Sequence, residues 1–235
     1  MPLSRYRAVF FDVGGTLLKV HPSVGTVYAG EARAFGYTGS AEALDAGFRA
    51  QWKATGGIES LDGQSGRAVE KRFWKDLVEK VFEPSGGLEN FDEYFDRVYS
   101  LFQKKDSWRV FEDVARSRIF ERLKARGVVL GVISNWDSRL PETLKNLGLA
   151  DHFDFILAST VVGSAKPNPR IFAQAIAMSR VQPGEACHIG DEVATDIEGA
   201  AAAGIDAILV DRDNRHPVAQ APRVRSFMDL VDGSP

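Results

Sequence analysis

The stretch Tyr6-Arg7-Ala8-Val9-Phe10-Phe11-Asp12-Val13-Gly14-Gly15-Thr16 decides the fold. Tyr6 to Phe11 is an apolar and aromatic run that stops at Asp12, which predicts a fully buried strand, and Gly14-Gly15-Thr16 predicts a turn directly after it. Outward from this point the same signal recurs at Val128 to Ile133, Phe155 to Leu157, Ala186 to Ile189 and Ala207 to Val210, each short, apolar and without polar alternation. Helical patterns lie between or beside them at Val114 to Arg126, Arg139 to Leu147, Pro169 to Met178 and Thr195 to Ala203. That rhythm predicts an α/β fold with a Rossmann-like parallel sheet covered on both faces. Ligands of such sheets bind beyond the carboxyl ends of the strands, where Asp12, Ser134 and Asp191 stand.

Residues from about Val20 to Ser107 break the rhythm. Phe91, Tyr94, Phe95, Val98, Tyr99 and Phe102 follow the spacing of one buried helix face, and further helices are expected over Val24 to Phe35, Ala41 to Lys53 and Arg67 to Phe82. The expected organisation is an α/β core of residues 1–19 and 108–235 with an inserted all-helical cap over 20–107. An aromatic stripe at that spacing is expected to form core. The insertion carries 11 basic and 14 acidic residues, so long-range attraction does not favour a large polyanion there.

Composition narrows the function. With 44% hydrophobic and 26% charged residues, the 235-residue chain is of ordinary globular balance. Its longest uncharged apolar region, near Phe155 to Ala165, is short and broken by Ser, Thr and Gly, which predicts no membrane span. Asp12 interrupts the first apolar run, so no signal peptide is expected, and the chain is expected to be cytoplasmic. A net charge of -3 argues against a nucleic-acid partner. The lone Cys187 excludes an intramolecular disulfide and a zinc site built on several thiolates, and with His188 it is expected simply to pack in a strand.

Asp12, Thr16, Ser134, Lys166, Asp191 and Asp196 make chemical sense together. A carboxylate at a strand end can attack phosphorus, and a second can share Mg²⁺ with it, screening an anionic nucleophile from an anionic phosphate. Lys166 and the Ser134 hydroxyl would complete a cradle for the phosphoryl oxygens.

The chain resembles the haloacid dehalogenase (HAD) superfamily. The segments that carry the likeness are Phe11-Asp12-Val13-Gly14-Gly15-Thr16-Leu17, Val132-Ile133-Ser134-Asn135, Lys166-Pro167-Asn168-Pro169 and Ile189-Gly190-Asp191 continuing to Asp196. Each is weak alone, but four in order are specific. The stretch Gly163-Ser164-Ala165-Lys166-Pro167-Asn168-Pro169-Arg170-Ile171-Phe172 is also similar to a subgroup of HAD-like hydrolase domain-containing proteins of unassigned substrate. The resemblance implies Asp12 as nucleophile and Lys166 as its charge partner, and Thr16, Ser134 and Asn135 as the phosphate-binding residues. It implies a Mg²⁺ site of Asp12, the Gly14 carbonyl and Asp191, with Asp196 in support, and a small phosphorylated substrate.

One position departs from the family's pattern. HAD phosphatases usually carry a second Asp two residues after the nucleophile, as general acid and base, and here Gly14 stands there. General acid–base catalysis contributes about 10² to 10⁴-fold, so its loss weakens hydrolysis of alkyl phosphates and leaves good leaving groups least affected. Three readings follow: a Mg²⁺-dependent phosphatase, slow or restricted to activated phosphates or borrowing its acid from Lys19 or His21; a phosphate- or partner-binding protein of the same fold; and a 2-haloacid dehalogenase, which needs no such acid but would leave Asp191 and Asp196 unexplained. Trp136 and Asp137 are candidates to line the site, Asp137 equally as a helix cap. Arg49, Trp52, Gln64 and Trp74 are candidates to face substrate from the insertion.

Overall fold

The computed structural model describes residues 3–231. Strands β1 (Ala8–Phe11), β4 (Val129–Ser134), β5 (Phe155–Ala158), β6 (Ala186–Gly190), β7 (Asp206–Val210) and β8 (Arg223–Val224) form one parallel sheet in the order β5-β4-β1-β6-β7-β8. Side chains alternate across β1: Val9 and Phe11 enter one apolar layer with Phe120, Leu130 and Val132, while Ala8 and Phe10 enter the other with Ile133, Ile171 and Phe172. Burial on both faces is why these strands lack polar alternation. Phe11 sits opposite Val132 of β4 and Ile189 of β6, so Asp12, Ser134 and Asp191 emerge at the same edge.

Two short strands, β2 (Leu18–Val20) and β3 (Trp108–Val110), pair antiparallel with Leu18 opposite Val110 and Val20 opposite Trp108. Helices α1 (Val24–Ala32), α2 (Ala41–Thr55), α3 (Arg67–Phe82) and α4 (Phe91–Leu101) run between the arms of this ribbon. They close around their own apolar cluster, which includes Tyr28, Leu44, Leu77, Phe82, Tyr94 and Phe95. Ser23 and Ser40 cap α1 and α2 by accepting from the backbone N–H three residues on.

The remaining helices flank the sheet: α5 (Glu112–Ser117), α6 (Ile119–Lys124), α7 (Leu140–Asn146), α8 (Ser159–Val162), α9 (Pro169–Ser179), α10 (Gly199–Ala202) and α11 (Met228–Val231). Val114 to Arg126, expected as one helix, is broken at Arg118, whose φ is 51°. The cause is local: Ser117 Oγ donates to the Val114 carbonyl at 2.8 Å and accepts from the Ile119 N–H at 3.2 Å, taking groups that a continuous helix would pair. Thr195 to Ala203 also differs from expectation, because Val193–Glu198 forms a π-helical turn before α10. Such turns accompany functional sites, and this one carries Asp196. Among the described residues no helix is long and apolar enough to cross a membrane.

The insertion sits on the strand ends through polar contacts that are buried or partly buried. Glu70 of α3 is 1% exposed and accepts from the Ser138 N–H, from Ser138 Oγ and from Thr160 Oγ1. Trp74 Nε1 donates to Asp137 Oδ2 at 2.6 Å, and Asp62 accepts from the Ala165 N–H at 2.7 Å.

Candidate active site

Backbone geometry brings the acidic groups together at the sheet edge. Gly15 has φ 82°, and a Cβ there would fall 2.3 Å from Asp191 Oδ2, so glycine both adopts the left-handed turn and admits the carboxylate. Gly190 at the end of β6 does the same for Asp196, since a Cβ would lie 2.2 Å from its Cγ. One oxygen each from Asp12, Asp191 and Asp196 then lie within 4.8 Å of one another.

Lys166 balances much of that charge from a position 2% exposed. Its Nζ donates to Asp12 Oδ1 at 2.7 Å and to Asp196 Oδ1 at 2.5 Å. Burial alone would lower the lysine's pKa, but the two carboxylates outweigh it and hold the ammonium above its ordinary value. Burial pushes Asp12 up while Lys166 pulls against it. Asp196, although buried, is held well below the usual carboxylate range by Lys166 and His188. Asp191 lacks such a partner in the interior: burial, then the charges of Asp12 and Asp196, push it up to about 7, with Arg215 Nη2 opposing from 2.9 Å.

These donors fit a hard divalent cation, which takes carboxylate oxygens and relieves their mutual repulsion. Both Asp196 oxygens are already engaged, Oδ1 by Lys166 and His188 Nε2 and Oδ2 by the Glu192 N–H at 3.0 Å. Among the described residues Asp12 Oδ2 has no such partner, and Asp191 is met only by the Thr16 hydroxyl and the half-exposed Arg215, with no buried cation beside it. Asp12 and Asp191 are therefore the better placed for direct contact, and Asp196 stands behind them. Gly14 lines the same cavity.

The expected residues converge, with some changes of contact. Ser134 Oγ donates to Asp12 Oδ1 at 2.9 Å. Thr16 is fully buried and donates to Asp191 Oδ1 at 3.1 Å, so its hydroxyl orients that carboxylate. Asn135 lines the cavity, but its amide spans Lys166 and Glu59: Oδ1 accepts from the Lys166 N–H at 2.8 Å, and Nδ2 donates to the Lys166 carbonyl and to Glu59 Oε1. Lys19 lines the cavity, whereas His21 does not. From the insertion, Trp52 and Trp74 line it, while Arg49 and Gln64 are exposed away from it. Trp136 lines it; Asp137 binds the Arg139 N–H and guanidinium instead of capping α7 at its first residue. The α4 stripe divides, with Tyr94 in the helical core and Phe95, Val98, Tyr99 and Phe102 also reaching the cavity.

His188, Glu59 and Arg215 were not legible as site residues. His188 had a signal, a polar ring in an otherwise apolar strand three residues before Asp191. Arg215 had none, because it reaches Asp191 from the loop after β7.

The family model described as a hydrolase, haloacid dehalogenase-like hydrolase, matches residues 6–204. The chain belongs to the haloacid dehalogenase-like hydrolases. Among curated HAD relatives, haloacid dehalogenase-like hydrolase domain-containing protein 3 of Bos taurus is 34% identical over 206 residues, 87% of this chain and 81% of that protein. A phosphoserine phosphatase of Thermus thermophilus is 33% identical over 165 residues, 69% of this chain and 62% of that protein. Among solved structures, L-2-haloacid dehalogenase from Xanthobacter autotrophicus superposes with a TM-score of 0.73 at 20% identity, over 98% of this chain and 100% of that one. At that identity the likeness establishes the HAD fold, and reactions must be argued from the site.

Proposed function

We propose that this HAD hydrolase is a Mg²⁺-dependent phosphatase that carries the phosphoryl group of a small molecule on Asp12. One observation carries the reading: Asp12 ends β1 with Oδ1 held by both Lys166 Nζ and Ser134 Oγ, beside a second carboxylate, Asp191, that has no lysine of its own. The phosphoserine phosphatase relative is of the same reaction class.

In this mechanism Asp12 Oδ2 attacks phosphorus while Lys166 and Ser134 hold Oδ1. The bond from phosphorus to the leaving oxygen breaks, its electron pair departs with that oxygen, and water supplies the proton. A second water then attacks phosphorus, the bond to Asp12 breaks, and the carboxylate and inorganic phosphate are restored, the water's proton passing to solvent. Mg²⁺ held by Asp12, the Gly14 carbonyl and Asp191 would supply positive charge opposite the phosphate. Asp196 keeps Lys166 protonated and in place.

A dehalogenase reading accounts for Asp196, through Lys166, but gives Asp191 no work. Gly14 favours a second possibility, a phosphate-binding protein without efficient turnover. Phosphate release across a panel of phosphorylated metabolites, with and without Mg²⁺, separates the two. Release that requires Mg²⁺ and disappears in Asp12→Asn supports the phosphatase, and binding without release supports the alternative.

A further inference from the structure

All four tryptophans of the chain, Trp52, Trp74, Trp108 and Trp136, line one cavity of about 490 Å³ that also contains Asp12. They come from separate elements: α2, α3, β3 and the loop after β4. Trp52 stacks on Trp74, with ring centroids 5.7 Å apart and planes 25° apart, and on Phe48 at 5.8 Å and 26°. Trp108 and Trp136 lie 4.7 Å apart.

A helical layer that had closed completely on itself would leave voids little larger than a water molecule. A cavity of this size lies instead within the roughly 300 to 1,000 Å³ range of small-molecule sites. Several of its polar groups are already paired within the protein. Trp74 Nε1 donates to Asp137, Trp108 Nε1 donates to the Phe102 carbonyl, and Arg139 pairs with Asp137. Glu59 is held by Asn135 and Glu192 by Arg215, while Lys19 Nζ lies 5.5 Å from the ring centre of Phe111. Among the described residues, none of the buried side-chain polar atoms left without a partner belongs to the inserted helices. The wall a ligand meets is chiefly aromatic and aliphatic, together with the indole N–H groups of Trp52 and Trp136, the hydroxyls of Tyr28 and Tyr99 and the exposed Lys19.

We propose that the cavity is a binding site for an aromatic group, and that the substrate is an aryl phosphate whose ring system lies among the tryptophans while its phosphate meets Asp12. The inference rests on the phosphatase reading and names its substrate class. Gly14 supports it independently, because an aryloxide leaves without the general acid that glycine cannot provide. A phenol has a pKa near 10, as tyrosine does, far below that of an alkyl alcohol. In the transfer step the bond from phosphorus to the aryl oxygen breaks, the electron pair stays on that oxygen, and the aryloxide takes a proton from water. Offset and edge contacts with aromatic rings add to the affinity gained from burying the ring.

The test is a ligand series on the wild-type protein with Mg²⁺: inorganic phosphate, methylphosphonate, phenylphosphonate and 1-naphthylmethylphosphonate, none of which can be turned over. Affinities come from calorimetry, and because every tryptophan lines the cavity, intrinsic fluorescence reports occupancy directly. The expected result is at least about a tenfold rise in affinity from methyl to naphthylmethyl, equivalent to ~1.4 kcal/mol, together with a change in tryptophan emission absent with methylphosphonate. Trp52→Ala should reduce the naphthylmethyl-to-methyl ratio. Equal affinity across the phosphonates overturns the aromatic site and leaves the phosphatase reading standing. If neither phosphate nor any phosphonate binds, the phosphatase reading falls and the inference falls with it.

Discussion

Gly14 faces Trp136: a Cβ built on Gly14 would stand 3.5 Å from Trp136 Cζ3, an ordinary van der Waals contact. Gly14 is not among the residues in the left-handed region, unlike Gly15. The backbone at position 14 therefore accepts a side chain, and the nearest group to it is an indole ring whose centre lies 4.7 Å from that of Trp108, tilted by 43°. An aromatic ring thus borders the position where HAD phosphatases usually place their acid.

Gly14→Asp should accordingly raise alkyl-phosphate turnover by about tenfold or more, toward the ~10² to 10⁴-fold range of general acid catalysis. Aryl phosphates should gain much less. Steady-state kcat for a matched aryl and alkyl pair in wild type and variant checks this, and an unchanged aryl-to-alkyl ratio would contradict it.

Lys166→Met should destabilise the fold as well as abolish turnover. Removing the ammonium leaves Asp12 and Asp196 buried without their shared cation, and breaking such a pair costs about 3–5 kcal/mol. Urea unfolding reads the loss. A second substitution, Asp196→Asn in the Lys166→Met background, should recover part of it; no recovery would mean that the lysine acts through packing alone.

Glu70 should hold the helical insertion against the core. It accepts from both Ser138 donors and from Thr160, and Glu70→Ala leaves those donors unpaired at a cost of about 2 to 3 kcal/mol. Hydrogen exchange should accelerate in α3 and at residues 137–139, with Glu70→Gln affected less. Unaltered exchange in Glu70→Ala would remove the latch from the account.

The fold was legible because its strands are buried on both faces, and runs such as Ala8 to Phe11 announce that directly. Less visible were β2 and β3, each three residues long and defined by mutual pairing across nearly ninety residues of sequence. The break at Arg118 depends on which way the Ser117 hydroxyl turns, which periodicity does not encode. At the site, Asp12, Lys166 and Asp191 were readable from motif and position. The Thr16 hydroxyl and the Asn135 amide were expected on phosphate, but tertiary neighbours turn them toward Asp191, Lys166 and Glu59. The α4 stripe has the same spacing whether it faces core or cavity, so Tyr94 and Tyr99 look alike in sequence and differ in place.

Mg²⁺ should stabilise the protein in a pH-dependent way. With Asp191 pushed up to about 7 from an unfolded value near 3.9, its contribution to metal-free stability is full below about pH 4 and is lost as pH rises to about 7. A cation binds the ionised carboxylate, so the increase in Tm caused by Mg²⁺ should be small at pH 5 and larger at pH 8. Asp191→Asn should lose that difference. Equal increments at both pH values in wild type would show that Asp191 does not hold the ion.

The most direct test of the phosphatase reading is the intact-protein mass after rapid mixing with acetyl phosphate and Mg²⁺. The account predicts an increment of one phosphoryl group in wild type, absent in Asp12→Asn, which persists because no side chain at position 14 activates the hydrolytic water. An adduct that survives Asp12→Asn, or the absence of both adduct and phosphate release in wild type, would contradict it.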